Sequence, residues 1–366
     1  MVQLLLKREP GRGARKAAAL ACMTLLLLAP AMAASRSKTP ATIRIPVLLL
    51  DGGRKLTYER SFDSARAVNP KPGFWTKLVN VAIGEPDYHT MVRPYSVVTD
   101  SKGRIIVTDP GAGGVHIFDF AHKKYKFLSH SRGKDAMFSP QCVAVDAKDN
   151  IYVTDSNAGK IFVFGANGKF ERVIGSLKGG EGYFKRPTGI AVDSEADRIY
   201  VTDTLRNQIF VLDLKGDILQ TIGKSGTGPG EFNFPTELRL EGKDLLVVDA
   251  MNFRVQVLNR AGVFQYAIGH VGDGTGAMFR PKGIGEDSEG HLYIVDGLYA
   301  VVQVFDREGQ LLYYFGQKGT GFGDFQLPTG LFIDGTDHVF VVDSYNRRVQ
   351  EFHYFGLHGQ NNGGTQ

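Results

Sequence analysis

Three arginines occupy equivalent places in the chain. Arg93, Arg186 and Arg280 each stand directly before a proline, and 93 and 94 residues separate them. A guanidinium group binds carboxylate or phosphate oxygens through a planar pair of hydrogen bonds. If folding places the three arginines around one opening, they form a site for a small anionic ligand. The alternative is that each arginine pairs with a nearby aspartate.

Two further charged residues, Glu237 and Lys282, come shortly after prolines of the same series. Glu237 stands where equivalent segments carry Gly, Ser or Cys. The favoured interpretation is that Glu237 and Lys282 neutralise each other. The alternative is that they form the polar end of a small-molecule site.

Histidines and aspartates are the candidate metal ligands. His89, His130 and His270 would form a zinc site if they converged, but they show no repeated ligand spacing, so surface histidines are the simpler interpretation. Six aspartates recur with the prolines, and a ring of carboxylates could hold a cation such as calcium. The structural interpretation is that each aspartate accepts backbone N–H groups of its own turn or pairs with a loop arginine. The six are Asp109, Asp155, Asp203, Asp249, Asp296 and Asp343. No cofactor is predicted from these patterns, and zinc or calcium is the alternative.

These residues follow an internal repeat of 46 to 48 residues, marked by prolines at positions 94, 140, 187, 235, 281 and 328. Each copy reads as an apolar strand, a polar turn, a second strand ending in aspartate, and two more strands. Copies of a four-stranded sheet must stack to bury both apolar faces, and a closed ring leaves no unpaired end. The repeat therefore predicts an all-β, six-bladed β-propeller of four-stranded antiparallel blades. An open solenoid would need polar capping repeats, which neither terminal copy resembles.

The sixth copy ends after its third strand, and residues 56–62 resemble the missing fourth strand. We expect this N-terminal strand to complete the last blade and close the ring. The predicted propeller spans residues 54–356, with its blades beginning at about residue 91.

The segments outside the repeats have other predicted roles. Residues 1–33 combine basic residues, an apolar run and Ala31-Met32-Ala33, which is typical of a cleaved signal peptide. The apolar run is shorter than the roughly 20 residues that span a bilayer, so no stable membrane span is expected after cleavage. The protein is predicted to be exported, to the periplasm or the extracellular space. Residues 34–53 are predicted as a linker, 73–83 as a short amphipathic helix and 357–366 as a disordered tail.

The net charge bears on nucleic-acid binding, and the cysteine content bears on disulfide formation. The net charge is +5, but residues 1–33 contain five basic residues and one acidic residue, so the cleaved chain is left at +1. Nucleic acid is therefore not an expected partner. Only Cys142 follows the cleavage site, so the mature chain has no internal disulfide, and a buried inert thiol is predicted.

The segments GTGPGEFNFP, GTGFGDFQLPTG, DAMNFRVQVL and DSYNRRVQEF resemble NHL repeats, and the resemblance covers about residues 54–356. With the signal peptide, the chain is similar to exported bacterial NHL-repeat proteins. The resemblance implies a six-bladed propeller but no single activity. The family includes RNA-binding and protein-binding modules, exported scaffold-like proteins and a zinc-binding peptide-amidating lyase.

Two hypotheses follow. The first is a non-enzymatic, monomeric binding or scaffold module that takes a protein, a peptide or a small anionic ligand on its loop face. The second is a metal-dependent lyase or hydrolase with zinc or calcium at the central channel, resembling the peptide-amidating lyase propeller.

Overall fold

Each copy of the repeat folds into one antiparallel sheet, and six such sheets form a ring. All the described residues belong to one compact unit, Arg44–Gln366. A computed structural model of the chain describes residues 46–68, 89–130, 135–272, 274 and 276–357. The predicted six-bladed propeller of four-stranded antiparallel blades is confirmed.

The blades are numbered along the chain, and β1 (Val47–Leu49) and β2 (Lys55–Phe62) precede them. Blade 1 contains β3 (Val97–Thr99), β4 (Ile105–Asp109), β5 (Gly114–Asp119) and β6 (Lys124–Leu128). Blade 2 contains β7 (Pro140–Val145), β8 (Ile151–Asp155), β9 (Lys160–Phe164) and β10 (Phe170–Ile174). Blade 3 contains β11 (Pro187–Asp193), β12 (Arg198–Asp203), β13 (Gln208–Asp213) and β14 (Ile218–Ile222).

Blade 4 contains β15 (Pro235–Glu241), β16 (Asp244–Asp249), β17 (Arg254–Asn259) and β18 (Phe264–Ile268). Blade 5 contains β19 (Pro281–Glu286), β20 (Leu292–Asp296), β21 (Val301–Phe305) and β22 (Leu311–Phe315). Blade 6 contains β23 (Leu331–Ile333), β24 (His338–Asp343) and β25 (Arg348–Phe355). Short 3-10 turns occupy Asp51–Gly53, Ala65–Ala67 and Ala250–Asn252.

The N-terminal strand β2 completes blade 6, as predicted. It pairs antiparallel with β25, with Leu56 opposite Tyr354 and Phe62 opposite Val349. Phe62 also packs in the core shared by blades 6 and 1, against Phe118 at 4.9 Å between ring centroids. The ring is therefore closed by backbone pairing between segments far apart in the chain.

The linker predicted for residues 34–53 is wrong over its last part. Strand β1 pairs with β2 and gives blade 6 a fifth strand. Gly52 and Gly53 have φ values of 72° and 84°, which let the chain reverse between the two strands. Residues 47–62 therefore form a hairpin. Leu48 anchors this hairpin by packing on the core between blades 5 and 6.

The remaining predicted segments lie outside the described residues. They are the signal peptide at 1–33, residues 34–45 of the linker, the helix at 73–83, and the tail after Leu357. The described part of the chain contains no helix with the length and apolar character of a membrane span.

Apolar cores lie between neighbouring blades. One such core combines Tyr200 and Val211 of blade 3 with Leu245 and Val247 of blade 4, and each side chain is at most 1% exposed. The first strands of neighbouring blades contact one another around the axis. Their approach is close, because a Cβ on Gly283 would lie 2.3 Å from the backbone nitrogen of Leu331. Each blade therefore depends on its neighbours for burial, and the inner ends of the blades are held in fixed positions.

We expect Phe62→Leu to lower the free energy of unfolding by about 1–2 kcal/mol, because the substitution removes aromatic contacts across the ring closure. Chemical denaturation measures the change. Ser61→Ala, on the half-buried neighbour, is the control and should change stability little. Equal effects of the two variants would contradict a closure that depends on the Phe62 ring.

Candidate functional site

One cavity of about 500 Å³ is formed where the six blades meet. Three positions of the repeat supply most of its lining: the residue before each leading proline, the residue after it, and the residue after the second-strand aspartate. The first set is Arg93, Ser139, Arg186, Phe234, Arg280 and Leu327. The second set is Tyr95, Gln141, Thr188, Thr236, Lys282 and Thr329. The third set is Pro110, Ser156, Thr204, Ala250, Gly297 and Ser344.

The second-strand aspartates hold the cavity wall in place through the backbone. Asp203 Oδ1 accepts the N–H of Arg186 at 3.0 Å, and Asp109 Oδ1 accepts the N–H of Arg93 at 3.0 Å. All six of these aspartates are fully buried and accept backbone N–H groups from the residues that precede the leading proline. They therefore fix the loops that carry the arginines, rather than forming an open ring of carboxylates.

The pKa of the second-strand aspartate differs between blades, because burial and local hydrogen bonding differ. Burial raises the pKa of Asp109, but hydrogen bonds from His116 and from the Val92 and Arg93 backbones outweigh burial and lower it overall. At Asp343 burial dominates, and the pKa is raised despite hydrogen bonds from Gln326, Asn346 and Arg348.

The arginine side chains are not paired with these aspartates. Arg93, Arg186 and Arg280 are exposed and line the cavity together with Lys282. Within the described part of the chain, none of these four cations forms an ion pair, and no carboxylate lines the cavity. The structure thus brings the three predicted arginines to one cavity, on alternate blades 1, 3 and 5.

Glu237 and Lys282 form no ion pair, contrary to the favoured interpretation, although each charge favours the other from a distance. Glu237 is buried and accepts a hydrogen bond from Arg239 Nη2 at 3.0 Å. The physical reason is that residues two apart on a strand point to the same face of the sheet. Burial raises the pKa of Glu237 to about 7, although Arg239 opposes the shift. Burial and the neighbouring Arg280 lower the pKa of Lys282 to about 8.

Arg239 is a residue that sequence reasoning missed. From blade 4 its Nη2 also donates to the carbonyls of Val97 in blade 1, at 3.2 Å, and Leu331 in blade 6, at 3.1 Å. The guanidinium lies 5.2 Å from the centroid of the Phe332 ring. This buried side chain therefore links blade 4 to blades 1 and 6 across the ring. The sequence could have pointed to Arg239, because it is charged where the other five inner strands carry an uncharged residue. Those residues are Val98, Ala144, Ala191, Gly285 and Phe332.

A half-buried phenol and a buried thiol near the cavity remain protonated at neutral pH. Burial raises the pKa of the Tyr95 phenol, and the nearby Cys142 and Glu237 raise it further. Burial also raises the pKa of the Cys142 thiol well above its ordinary value. Tyr95 lines the cavity, so it offers a neutral phenol to a ligand.

Blades 4 to 6 give the cavity an apolar side. Phe234 and Met251 of blade 4 are 42% and 53% exposed, and Phe279 of blade 5 is 48% exposed. Tyr345 of blade 6 is 57% exposed and completes this group. We call these four residues the apolar rim. Large side chains so exposed around a concave site are typical of a ligand-binding surface.

The structure does not bring the three alternative metal ligands, His89, His130 and His270, together. His89 stacks on Phe127 with 4.8 Å between ring centroids, and His130 stacks on Phe170 at 3.8 Å. His270 is exposed on an interblade loop. Among the described residues, these three histidines do not form a group that could hold one ion. The loops are anchored by local aromatic stacking and strand pairing, so the side chains do not converge.

A model for a family described as 6-bladed beta-propeller matches residues 143–201 and 191–252. The chain is a β-propeller. The NHL-repeat resemblance stays a prediction, since the family description does not mention that repeat. No curated protein matches the chain in sequence.

Solved structures support the fold. A protein of unknown function from Bacteroides thetaiotaomicron is 17% identical with a TM-score of 0.57, covering 72% of this chain and 70% of its own. Virginiamycin B lyase from Staphylococcus aureus is 14% identical with a TM-score of 0.53, covering 82% of this chain and 99% of its own. An auxiliary nutrient binding protein from B. thetaiotaomicron is 14% identical with a TM-score of 0.56, and the match covers 72% of this chain and 69% of that protein. At these identities the propellers share a fold alone.

Proposed function

We propose that this propeller is an exported binding protein whose cavity takes a small anion that also carries an apolar group. The observation that carries the proposal is four cations, three of them arginines, around one cavity with no carboxylate among its described lining residues. Like charges held together repel each other, and a bound anion relieves that repulsion. A carboxylate, phosphate or sulfonate provides oxygens that guanidinium groups bind in pairs.

The apolar rim defines the second half of the ligand. Phe234, Met251, Phe279 and Tyr345 belong to blades 4 to 6, whereas two of the three arginines belong to blades 1 and 3. Burying an apolar group against these side chains contributes about 25 cal/mol per Å² of apolar area removed from water. A ligand that carries both an anion and a ring therefore fits the cavity better than either part alone.

Binding is favoured over lyase chemistry by the donors that the cavity offers. A nutrient binding protein and a lyase are both among the similar structures, so the fold does not decide between the roles. Zinc sites use histidine, cysteine and carboxylate ligands, and none of these lines the cavity among the described residues. The proposal also includes export, a monomeric state, and a protein or peptide partner that binds on the same face. Nucleic acid is not a proposed partner.

Matched ligands test the proposal. Calorimetry should show phenyl phosphate binding more tightly than inorganic phosphate, and phenol binding more weakly than both. Phenyl phosphate carries both the anion and the ring, whereas inorganic phosphate has only the anion and phenol only the ring. Phenol binding as tightly as phenyl phosphate, or no ligand binding with a Kd below about 1 mM, would contradict the proposal.

The affinity for an anion should fall as the pH rises through about 8, because the Lys282 ammonium loses its charge there. Benzenesulfonate is a suitable probe, since its own charge does not change over this range. Calorimetry from pH 7 to 9.5 measures the change. Lys282→Arg is the control, and it should keep its affinity because a guanidinium stays protonated. The same decline in Lys282→Arg would show that Lys282 is not the titrating group.

A further inference from the structure

Three potential metal ligands lie side by side on adjacent strands of blade 6, away from the cavity. Glu59 belongs to β2, His353 to β25 and His338 to β24, and β25 runs between the other two strands. His338 and His353 are directly opposite each other in the strand register. An irregularity in the pairing of β2 with β25 lies between Tyr58 and Arg60, at the position of Glu59. The closure strand and the last two strands of the described residues therefore meet at this cluster.

The donor atoms are close enough for one ion to bridge them. Glu59 Oε1 lies 3.3 Å from His353 Nδ1, and Glu59 Oε2 lies 3.8 Å from His338 Nε2. One ligand atom from each of the three residues lies within 4.8 Å of the other two. Zinc bonds of about 2.0–2.2 Å in a tetrahedral arrangement place ligand atoms roughly 3.4 Å apart. The imidazole rings of His338 and His353 stack with 4.2 Å between their centroids, so zinc binding requires the two rings to rotate apart until both point at the ion.

A second set of hydrogen bonds orients His338. The Thr336 hydroxyl donates to Asp334 Oδ1 at 2.7 Å, so its oxygen accepts the N–H at His338 Nδ1, 2.9 Å away. The Nε2 of His338 then carries a lone pair and faces a carboxylate oxygen of Glu59. A zinc ion between these two groups would accept an electron pair from each of them. Metal-bound histidines commonly donate their other ring N–H in this way.

From this geometry we infer that Glu59, His338 and His353 form a zinc site that joins the closure strand to the rest of blade 6. Two imidazoles and one carboxylate are a zinc donor set, and the fourth position is open to water. The side chains are 35%, 26% and 23% exposed, so an ion can enter from solvent. The ion would bind the closed ring in preference to an open one and would therefore stabilise ring closure.

The test uses the untagged full chain, stripped of metal with a chelator and titrated with zinc by calorimetry. We expect one zinc per chain and a rise of the thermal midpoint with zinc but not with calcium, because calcium prefers all-oxygen sites. Glu59→Gln and His353→Ala should each weaken zinc affinity by at least about tenfold. His270→Ala is the matched control, since it removes an exposed histidine elsewhere.

The outcomes separate the site from general metal binding. Zinc binding that is unchanged in both Glu59→Gln and His353→Ala, or equally weakened in His270→Ala, would overturn the inference. So would the absence of saturable zinc binding to the unsubstituted chain. Glu59→Gln keeps the size of the side chain, so it provides a folded variant even if His353→Ala is too unstable to measure.

Discussion

Replacing Arg93, Arg186 and Arg280 together with alanine should weaken the binding of phenyl phosphate by at least about 100-fold. Each hydrogen bond to a charged group contributes about 1.5–3 kcal/mol, and a bound anion that contacts two or more guanidinium groups loses all of these bonds in the variant. Calorimetry measures the loss. Because the three side chains are exposed and form no ion pairs among the described residues, the fold should be retained, and thermal unfolding checks this.

The matched control removes the same charge from the opposite face. Lys148, Lys215 and Lys243 are exposed in turns at the other ends of the strands, far along each strand from the second-strand aspartates. Replacing these three with alanine should leave phenyl phosphate affinity within about twofold, apart from weak long-range effects that salt screens. Equal losses in the two triple variants would show that net charge, not the cavity, determines binding.

Arg239→Leu should lower the free energy of unfolding by about 3–5 kcal/mol, because it leaves Glu237 buried without its partner. The same substitution removes hydrogen bonds to Val97 in blade 1 and Leu331 in blade 6. Chemical denaturation at pH 8 measures the loss. Glu237→Gln combined with Arg239→Leu should recover part of it, since a neutral amide is less costly to bury than a carboxylate.

The loss in Arg239→Leu should also depend on pH. Burial already raises the pKa of Glu237 from 4.5 to about 7, and removal of Arg239 takes away a cation that opposes the rise. Above pH 4.5 the folded state keeps a proton that the unfolded state has lost, so stability falls as the pH rises toward the folded-state pKa. Arg239→Leu should therefore be less destabilised at pH 5 than at pH 8. A loss that is the same at both values would contradict a buried, uncompensated Glu237.

The fold could be predicted because every copy of the repeat has the same strand pattern and turn residues. The leading prolines and the second-strand aspartates establish the period, and residues 56–62 supply the strand that the sixth copy lacks. The arginines could be placed at one opening for the same reason, since equivalent positions of a ring share one end. The repeat does not predict β1, because its three residues, Val47–Leu49, lie outside any copy.

The errors concern interactions that the repeat does not determine. The sequence favours pairing of Glu237 with Lys282, but Arg239 lies two residues from Glu237 on the same face of one strand and binds it instead. The alternative zinc site requires His89 and His130 to converge, but aromatic rings of nearby strands determine where these imidazoles lie. The ligand cluster at Glu59 needed the register between β2 and β25, which sequence alone does not give.

A crystal structure grown with selenate is the most direct test of an anion site in the cavity, because selenium can be located by its anomalous scattering. We expect the strongest anomalous peak inside the cavity, with selenate oxygens within hydrogen-bond distance of Lys282 and at least two of Arg93, Arg186 and Arg280. A cavity without selenate in a crystal that binds it elsewhere on the propeller would contradict the account.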